Sequence, residues 1–454
     1  MTPDFPHLAA IRLGYGLSPL TPAPADPQAV LRSVPEAAAP DGWTTPMATD
    51  AQRQFAASRR QRNAGEIDTE EFRRIQSDLN HQRLSVLQRR VARAVDAPAG
   101  FGERLVQFWT GHFATVARNA PGHIMSGAMV DEAIRPHLNG HFADLLFAAD
   151  THPMMLNYLN QSGSVGPRSV FARRRPERAL GLNENLAREA LELHSLGVSA
   201  AYSQADVREL AELLTGLTYD QRKGRHYRPD AAEPGAETVL SESYGGPGTS
   251  GMDEIRRVFG NLARHPATAA HLSRKLAIHF AADDPPPDLV AALEAVWLET
   301  GGDLAQVNGA LVSHPVLAAN LRAKARQPFD FLVTALRALG LDGAAILALD
   351  PKRANQALWH PLTAMGQPFA QPRGPDGWPE LAAAWITPQM LAARIGWALS
   401  QPARLCDALP DPRELVETAL GPAASGALRW AVPKAENARE GVAIILASAD
   451  LNRR

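Results

Sequence analysis

Apolar residues recur at helical spacing along most of this chain, and this periodicity constrains its fold more than any other feature. Between Asp68 and Val95 they follow the 3.6-residue period that places one face of a helix against a core. The sequence therefore predicts a mainly α protein, a large irregular multi-helix domain. Similar patterns predict further helices near 129–148, 182–196, 203–215, 266–280, 287–300, 303–313 and 328–339.

One region departs from helical periodicity toward strands. Within residues 217–251 the run Thr238-Val-Leu240 lies among Gly, Pro and Asp residues, and this composition is typical of short strands and tight turns. We expect a short β-hairpin insertion near 217–245. Residues 366–380 contain too many Pro and Gly residues for a helix or an interior strand, which predicts a loop.

The length of 454 residues exceeds the size at which one core usually stops growing. We expect a single large helical domain over 1–454, which could divide into two packed subdomains at about 1–250 and 251–454. Residues 162–181 concentrate arginines between Gly and Pro residues and predict a solvated basic loop. The single cysteine, Cys406, excludes an internal disulfide framework and a Cys-rich zinc site.

Charge and hydropathy restrict the partners that the whole chain could attract. A formal net charge of -2 gives no general attraction to nucleic acid or to anionic lipid. No apolar run approaches the roughly 18 residues of a membrane-spanning helix. The first residues lack the basic segment and apolar run of a signal peptide, which favours the cytoplasm.

The segment 182–196 carries the most informative arrangement of charge. If it is helical, Asn185, Arg188, Glu189 and Glu192 form a polar strip beside an apolar stripe, and Glu189 lies almost on the apolar face. A carboxylate forced toward an apolar interface is paired or has a shifted pKa, as catalytic carboxylates often are. We therefore predict these four residues as catalytic. The alternative is a stabilising ladder of ion pairs through Arg188.

The turn after this segment offers a candidate metal site. A return across Gly197 could bring Glu192, His194 and Asp206 together, and two carboxylates with one imidazole suit a divalent cation. The alternative is that His194 interacts with the dipole of its own helix and that Asp206 belongs to a helix cap.

Further candidates lie on other segments. In the helix predicted over 266–280, Lys275 and His279 share the flank of the buried stripe, and we predict both as catalytic. Glu189 is the partner that we predict for Lys275. His112, among aromatic residues, is either a core histidine or a catalytic base. Trp378 could cover a pocket from the loop 366–380. The sequence contains no nucleophile elbow, phosphate-binding loop or dinucleotide fingerprint.

Several motifs together resemble those of the bacterial family catalogued as domain of unknown function 1800. The most specific of them is the segment from Asn183-Glu-Asn to His194, and the likeness extends nearly end to end. The others are Arg12-Leu-Gly-Tyr-Gly16, Phe108-Trp-Thr-Gly-His-Phe113, Arg135-Pro136 with Gly140 and Phe142, Asp206-Val207 with Leu213-Leu-Thr-Gly216, His265-Pro-Ala-Thr268 with Lys275-Leu276 and His279-Phe280, and Gly377-Trp-Pro379.

The resemblance implies little about activity, because the family resembles no enzyme class with a transferable mechanism. Its members are often exported, and they are often encoded beside a sulfatase-like family. The resemblance therefore implies a sulfatase-like partner at the cell envelope. It also implies that this chain could reach the periplasm through such a partner. This chain lacks the export signal, has Gly111 where a polar residue is common, and has Ala232-Glu233 where a His-Asp pair is common. If that pair carries the activity, this member is altered or inactive.

Our leading functional hypothesis is an enzyme of acid–base hydrolysis or group transfer. Glu189 would act as the base, and Arg188 or Lys275 would stabilise an anion. One alternative is a non-catalytic scaffold or escort for the sulfatase-like protein, and another is a divalent-metal-dependent enzyme.

Overall fold

Helices dominate the chain, as the apolar periodicity predicts. The computed structural model describes residues 4–178, 181–319 and 321–454. The first part of the chain contains α1 (Phe5–Arg12), α2 (Pro27–Ala37), α3 (Thr45–Ala64), α4 (Thr69–Asp96), α5 (Phe101–His112), α6 (Ala120–Met129), α7 (Phe142–Asp150), α8 (Pro153–Tyr158) and α9 (Val170–Arg173).

The middle of the chain combines helices with two small sheets. Its elements are α10 (Asn185–Glu192), α11 (Gln204–Leu213), β1 (Leu217–Asp220), β2 (Gly224–Tyr227), β3 (Pro234–Val239), β4 (Glu242–Thr249), α12 (Met252–Arg264), α13 (Pro266–Phe280), α14 (Pro287–Thr300), α15 (Leu304–Ser313) and α16 (Val316–Ala319).

The last part of the chain is again helical. It comprises α17 (Pro328–Ala338), α18 (Gly343–Leu347), α19 (Pro351–Ala354), α20 (His360–Ala364), α21 (Pro388–Ser400), α22 (Pro402–Leu405), α23 (Pro412–Ala419), α24 (Gly426–Ala431), α25 (Ala438–Ala447) and α26 (Ala449–Asn452). Residues 366–380 form the predicted loop between α20 and α21.

The strands form two antiparallel hairpins. β1 pairs with β2, and β3 pairs with β4 as a separate two-stranded sheet. The prediction of hairpin structure in this region is confirmed, with two hairpins in place of one. The first has Leu217 opposite Tyr227, and the second begins at Pro234, opposite Thr249.

Two predicted helices are shorter than their apolar periodicity suggests. Over 129–148 the chain leaves α-geometry after Met129, through a π-turn at Val130–Ile134 and a 3-10 turn at Arg135–His137. Pro136 lies in this second turn and has no N–H to donate to an α-helical ladder. The helix predicted over 182–196 spans only Asn185–Glu192.

The early end of α10 has a local cause. The hydroxyl of Ser195 donates to the carbonyl oxygen of Ala190, and Gly197 adopts a φ of 91°, a left-handed conformation that favours glycine. The chain therefore turns away after Glu192, and His194 lies beyond the helix.

Two hydrophobic cores share α4 as a common wall. The first core takes residues from Ala9 to Leu317, and the second takes Tyr15, the C-terminal half of α4 and residues from Phe329 onward. After Leu317 the described chain contributes no further buried residue to the first core, and from Phe329 it contributes to the second. Within the described ranges, no helix combines the length and hydropathy that a membrane crossing requires.

The basic loop predicted over 162–181 is held by one buried carboxylate. Glu233 accepts the backbone N–H of Arg168 at 2.8 Å and pairs with its guanidinium. Its own backbone N–H donates to Thr215 Oγ1 at 2.7 Å. The contacts of Glu233 therefore give it a structural role, which is to anchor this loop. Residues 179 and 180 lie outside the described residues.

A buried ion pair joins α5 to the turn after α6. Arg135 donates to both carboxylate oxygens of Glu103, at 2.7 and 3.0 Å, and neither side chain is more than 4% exposed. Arg93 on α4 binds the same carboxylate at 3.1 Å. Three elements of the first core are therefore fixed by one carboxylate.

Replacing Glu103 by Gln should lower the free energy of unfolding by about 3 kcal/mol, because the buried Arg135 would lose its closest counter-charge and keep only Asp131 at 3.4 Å and Asp41 at 3.5 Å. Urea denaturation measures this change. The control is Glu71→Gln in the exposed pair with Arg74, whose closest atoms lie 3.7 Å apart, and we expect it to cost less than about 1 kcal/mol. Similar losses in the two variants would contradict the structural role of the buried pair.

Candidate functional site

The polar strip of α10 forms the predicted ladder of ion pairs. Arg188 lies 3.2 Å from Glu184 and 3.2 Å from Glu192, and it also donates to Gln204 Oε1 at 3.0 Å. Asn185, the first residue of the helix, is exposed. Arg188 and Glu192 are thus committed to each other at the surface, as the structural alternative predicts.

Glu189 is half-buried, and burial raises the pKa of its carboxyl group. The predicted pair with Lys275 is wrong. Within the described residues no ion pair joins them, and Lys275 Nζ lies 2.9 Å from His112 Nδ1 instead. Because α10 ends at Glu192, three residues after Glu189, the chain beyond it does not continue the helical face that the sequence predicts beside Glu189.

The metal set predicted from Glu192, His194 and Asp206 is also wrong, because each side chain has a different partner. Glu192 binds Arg188, and the fully buried His194 has Nδ1 at 2.8 Å from Asp150 Oδ1. Asp206 caps α11 in a capping box with Ser203. No group of three His, Cys, Asp or Glu side chains in the described part of the chain is placed to hold a metal ion.

A cleft with two compartments lies along α5 and the loop 366–380, with α13 beside the polar compartment and α4 and α6 beside the apolar one. The polar compartment spans about 380 Å³, including space open to solvent, and five titratable side chains border it. Three predicted residues, Lys275, His279 and His112, border it together with Trp378. Its lining residues are Gln107, Phe108, Gly111, His112, Lys275, His279, Gln327, Asp376, Trp378 and Glu380.

Lys275 and His112 form a hydrogen-bonded pair across α13 and α5. His112 Nε2 lies 3.1 Å from the carbonyl oxygen of His194, so this nitrogen carries the proton and Nδ1 accepts from Lys275. Burial, reinforced by the charge of Lys275, holds the pKa of His112 well below its ordinary value. Burial also lowers the pKa of Lys275 to about 8.

His279 forms a second pair with Glu380. Its Nδ1 lies 2.7 Å from Glu380 Oε1, and its Nε2 lies 2.9 Å from Arg104 Nη2. Because Arg104 can only donate, the proton of the ring is on Nδ1. Burial lowers the pKa of His279 to about 4. Both ring nitrogens are therefore committed to protein partners.

Glu380 supplies a permanent negative charge to the polar compartment. Burial by itself would raise its pKa, but His279 and Lys324 lower that pKa to about 2. Lys324 Nζ lies 3.2 Å from Glu380 Oε2 and 2.8 Å from Asp283 Oδ1. This anion partly opposes the effect of burial on Lys275.

Trp378 stands where the polar compartment meets a larger apolar one. The half-buried indole borders both, as do Gln107 and Gly111. The neighbouring Gly377 has a φ of 82°, and a Cβ there would lie 2.1 Å from the carbonyl oxygen of Gly111. Only glycine at 377 lets the loop approach α5 this closely.

Sequence reasoning missed Glu380, Asp376 and Gln107. Glu380 and Asp376 flank the motif Gly377-Trp-Pro379 in a loop without periodicity, so no pattern indicates which way their side chains point. Gln107 lies one turn before Gly111 on α5, and an amphipathic pattern treats it as an ordinary polar position. Proximity to the motifs around Trp378 and His112 was the only available signal.

Comparison with known proteins identifies a relationship without naming a reaction. The sequence model of a family described as a protein of unknown function, DUF1800, matches residues 8–453. No curated protein and no solved structure matches the chain. The resemblance drawn from the motifs is confirmed. Because the family has no described reaction, the function must be inferred from the cleft.

Replacing Lys275 by Met should stabilise the folded protein near neutral pH. Folding lowers the pKa of this amine from 10.5 to about 8, so the protonated form costs the folded state roughly 3 kcal/mol at lower pH. The lost hydrogen bond to His112 offsets about 1 kcal/mol. We expect urea denaturation to show a net gain of about 2 kcal/mol.

This gain should shrink as the pH rises from about 8 to 10.5. In that interval the unfolded wild-type chain binds the proton that the folded protein has released, so the wild type becomes more stable with pH. A gain that stays constant over this interval, or a loss of stability near neutral pH, would contradict the lowered pKa.

Proposed function

We propose that this chain, which belongs to the DUF1800 family, is an enzyme that hydrolyses an acyl ester by acid–base catalysis in the cleft around Trp378. The observation that supports this most directly is the state of Lys275. Its amine borders the polar compartment, and its pKa of about 8 leaves part of it neutral near neutral pH. A neutral amine is a base, whereas an ordinary lysine is not available as one.

Lys275 would act on water bound in the polar compartment. The neutral amine accepts a proton from the water as the water oxygen bonds to the acyl carbon. The tetrahedral species then expels the alkoxide as its carbon–oxygen bond breaks, and the Lys275 ammonium returns the proton to that oxygen. Ester and water become carboxylic acid and alcohol, and the lysine regains its starting form.

Gln107 is placed to stabilise the negative oxygen of the tetrahedral species. Its carboxamide has no hydrogen-bond partner among the described residues, and it borders both compartments. An amide N–H that is free to donate is a suitable group for an oxyanion, because it needs no other bond to be broken first.

His112 would position the amine and would not itself move protons. Its Nε2–H is bound to a backbone oxygen, and its Nδ1 holds Lys275 through one hydrogen bond. The charge of Glu380 would favour the ammonium form that develops when Lys275 accepts a proton. The base predicted at Glu189 is thereby replaced by Lys275, since Glu189 does not border either compartment.

A panel of p-nitrophenyl carboxylic, phosphoric and sulfuric esters tests this function. We expect the wild type to release p-nitrophenol from carboxylic esters, with a rate that rises as the pH passes through about 8. Lys275→Met should lower kcat by about 100-fold, the usual contribution of a general base. The matched control is Arg274→Met, because Arg274 is exposed on the same helix.

Three outcomes would contradict the proposal. They are an absence of turnover with every carboxylic ester, activity confined to phosphoric or sulfuric esters, and equal kcat in the wild type and Lys275→Met. Circular dichroism of each variant separates a lost base from a lost fold.

The escort function stays a second hypothesis. The ion pairs of Arg188 on the surface of α10 are compatible with a helix-packing or docking role. Binding to a sulfatase-like protein, and location in the cytoplasm or, through an exported partner, in the periplasm, remain predictions. Co-purification from the native host tests them.

A further inference from the structure

We infer that the apolar compartment binds the acyl chain of the ester, so that the preferred substrates carry uncharged acyl groups larger than acetyl. This inference rests on the proposed function, because it places the acyl carbon beside Lys275. The compartment encloses about 780 Å³, including its open mouth, and meets the polar compartment at Trp378. The two compartments share Gln107, Gly111 and Trp378 as lining residues, and a chain whose acyl carbon lies beside Lys275 would enter the apolar compartment past these residues.

The lining of this compartment is largely aromatic and aliphatic. Its lining residues include four with aromatic rings, Trp43, Phe329, Phe369 and Trp378, and the aliphatic Val86 and Leu362. Pockets for small molecules typically combine such walls with a few polar groups that fix orientation. An acyl chain would gain free energy by leaving water for these walls.

Apart from Gln107, the charged and amide side chains around the compartment already have partners within the protein. Arg90 donates to Thr110 Oγ1 at 2.9 Å, and Asp131 accepts the backbone N–H of Trp43 at 2.8 Å. The side-chain oxygen of Gln367 accepts the N–H of Phe329 at 2.8 Å. A charged ligand would have to displace these bonds, whereas an uncharged chain would not.

Two hydroxyl groups remain available inside the compartment. Those of Thr115 and Ser126 line it and have no hydrogen-bond partner within the ranges that the structure describes. An apolar chain that displaced water from these hydroxyls would leave them unpaired, which is unfavourable, whereas a polar substituent on the chain could bind them. These hydroxyls permit a chain with one oxygen atom, such as a hydroxyacyl group.

Gly111 is the smallest of the residues that the two compartments share. It borders both, and a Cβ at this position would have nothing within 4 Å. The space beside it is therefore open. A larger residue at 111 would fill this space and separate the reacting carbon from the room for its chain.

The test compares p-nitrophenyl acetate, butyrate and octanoate. We expect kcat/KM of the wild type to increase at least about tenfold from acetate to octanoate, because each buried methylene contributes favourable transfer free energy. In Gly111→Leu the octanoate-to-acetate ratio should fall to near one. The control is Gly396→Leu on α21, an exposed glycine whose Cβ would also meet nothing within 4 Å.

A binding measurement separates this inference from the catalytic proposal. The uncharged fluorophore N-phenyl-1-naphthylamine should bind Lys275→Met as it binds the wild type, and methyl octanoate should displace it. Ser126→Phe, which fills the compartment, should weaken binding by about tenfold, whereas Gly396→Leu should not change it. Circular dichroism shows whether Ser126→Phe folds; if it does not, Gly111→Leu replaces it in this assay.

The two proposals fail in different ways. Fluorophore binding without ester turnover would contradict the role of Lys275 and support the apolar compartment. Turnover that is independent of chain length, or a fluorophore that neither Ser126→Phe nor Gly111→Leu weakens, would overturn the acyl-chain assignment and leave the catalytic proposal standing.

Discussion

The arrangement of the cleft depends on one carboxylate buried between the two cores. Asp330 on α17 lies 2.5 Å from Arg454 Nη1 and 3.7 Å from Arg104 Nη2. Arg454 also donates to the backbone oxygen of His279 at 2.9 Å, and Arg104 reaches its ring. Buried guanidinium groups need such partners, since an unpaired charge in the interior is costly. The same contacts fix α5 and α13 relative to each other.

Burial then acts differently on the groups that these helices carry into the cleft. It lowers the pKa of Lys275 and of His279, whereas Glu380 stays ionised because His279 and Lys324 surround it. One interior therefore holds a neutral imidazole, a permanent anion and an amine that can exchange its proton near neutral pH. This separation of proton affinities is what acid–base chemistry requires.

The charged side chains on the surface of α10 differ from Lys275 in the cleft, because they are paired with opposite charges and, within the described chain, Lys275 is not. The strip of α10 contains more charged side chains than the motif around Lys275, but Arg188 pairs with both of its neighbours. Pairs of this kind stabilise a helix by a few tenths of a kcal/mol, about 0.2–0.5 per pair. Lys275 has no carboxylate within ion-pairing distance among the described residues, and its proton remains available for chemistry.

The sequence by itself determined the helical class, most helix positions and the capping of α11 by Ser203, because periodicity and caps are local properties. It also singled out Lys275, His279, His112 and Trp378. Only the tertiary structure decided that these four border one cleft and that Glu189 does not pair with Lys275. The physical reason is that the early end of α10 and the path of the loop 366–380 depend on contacts between residues far apart in the chain, which no local pattern encodes.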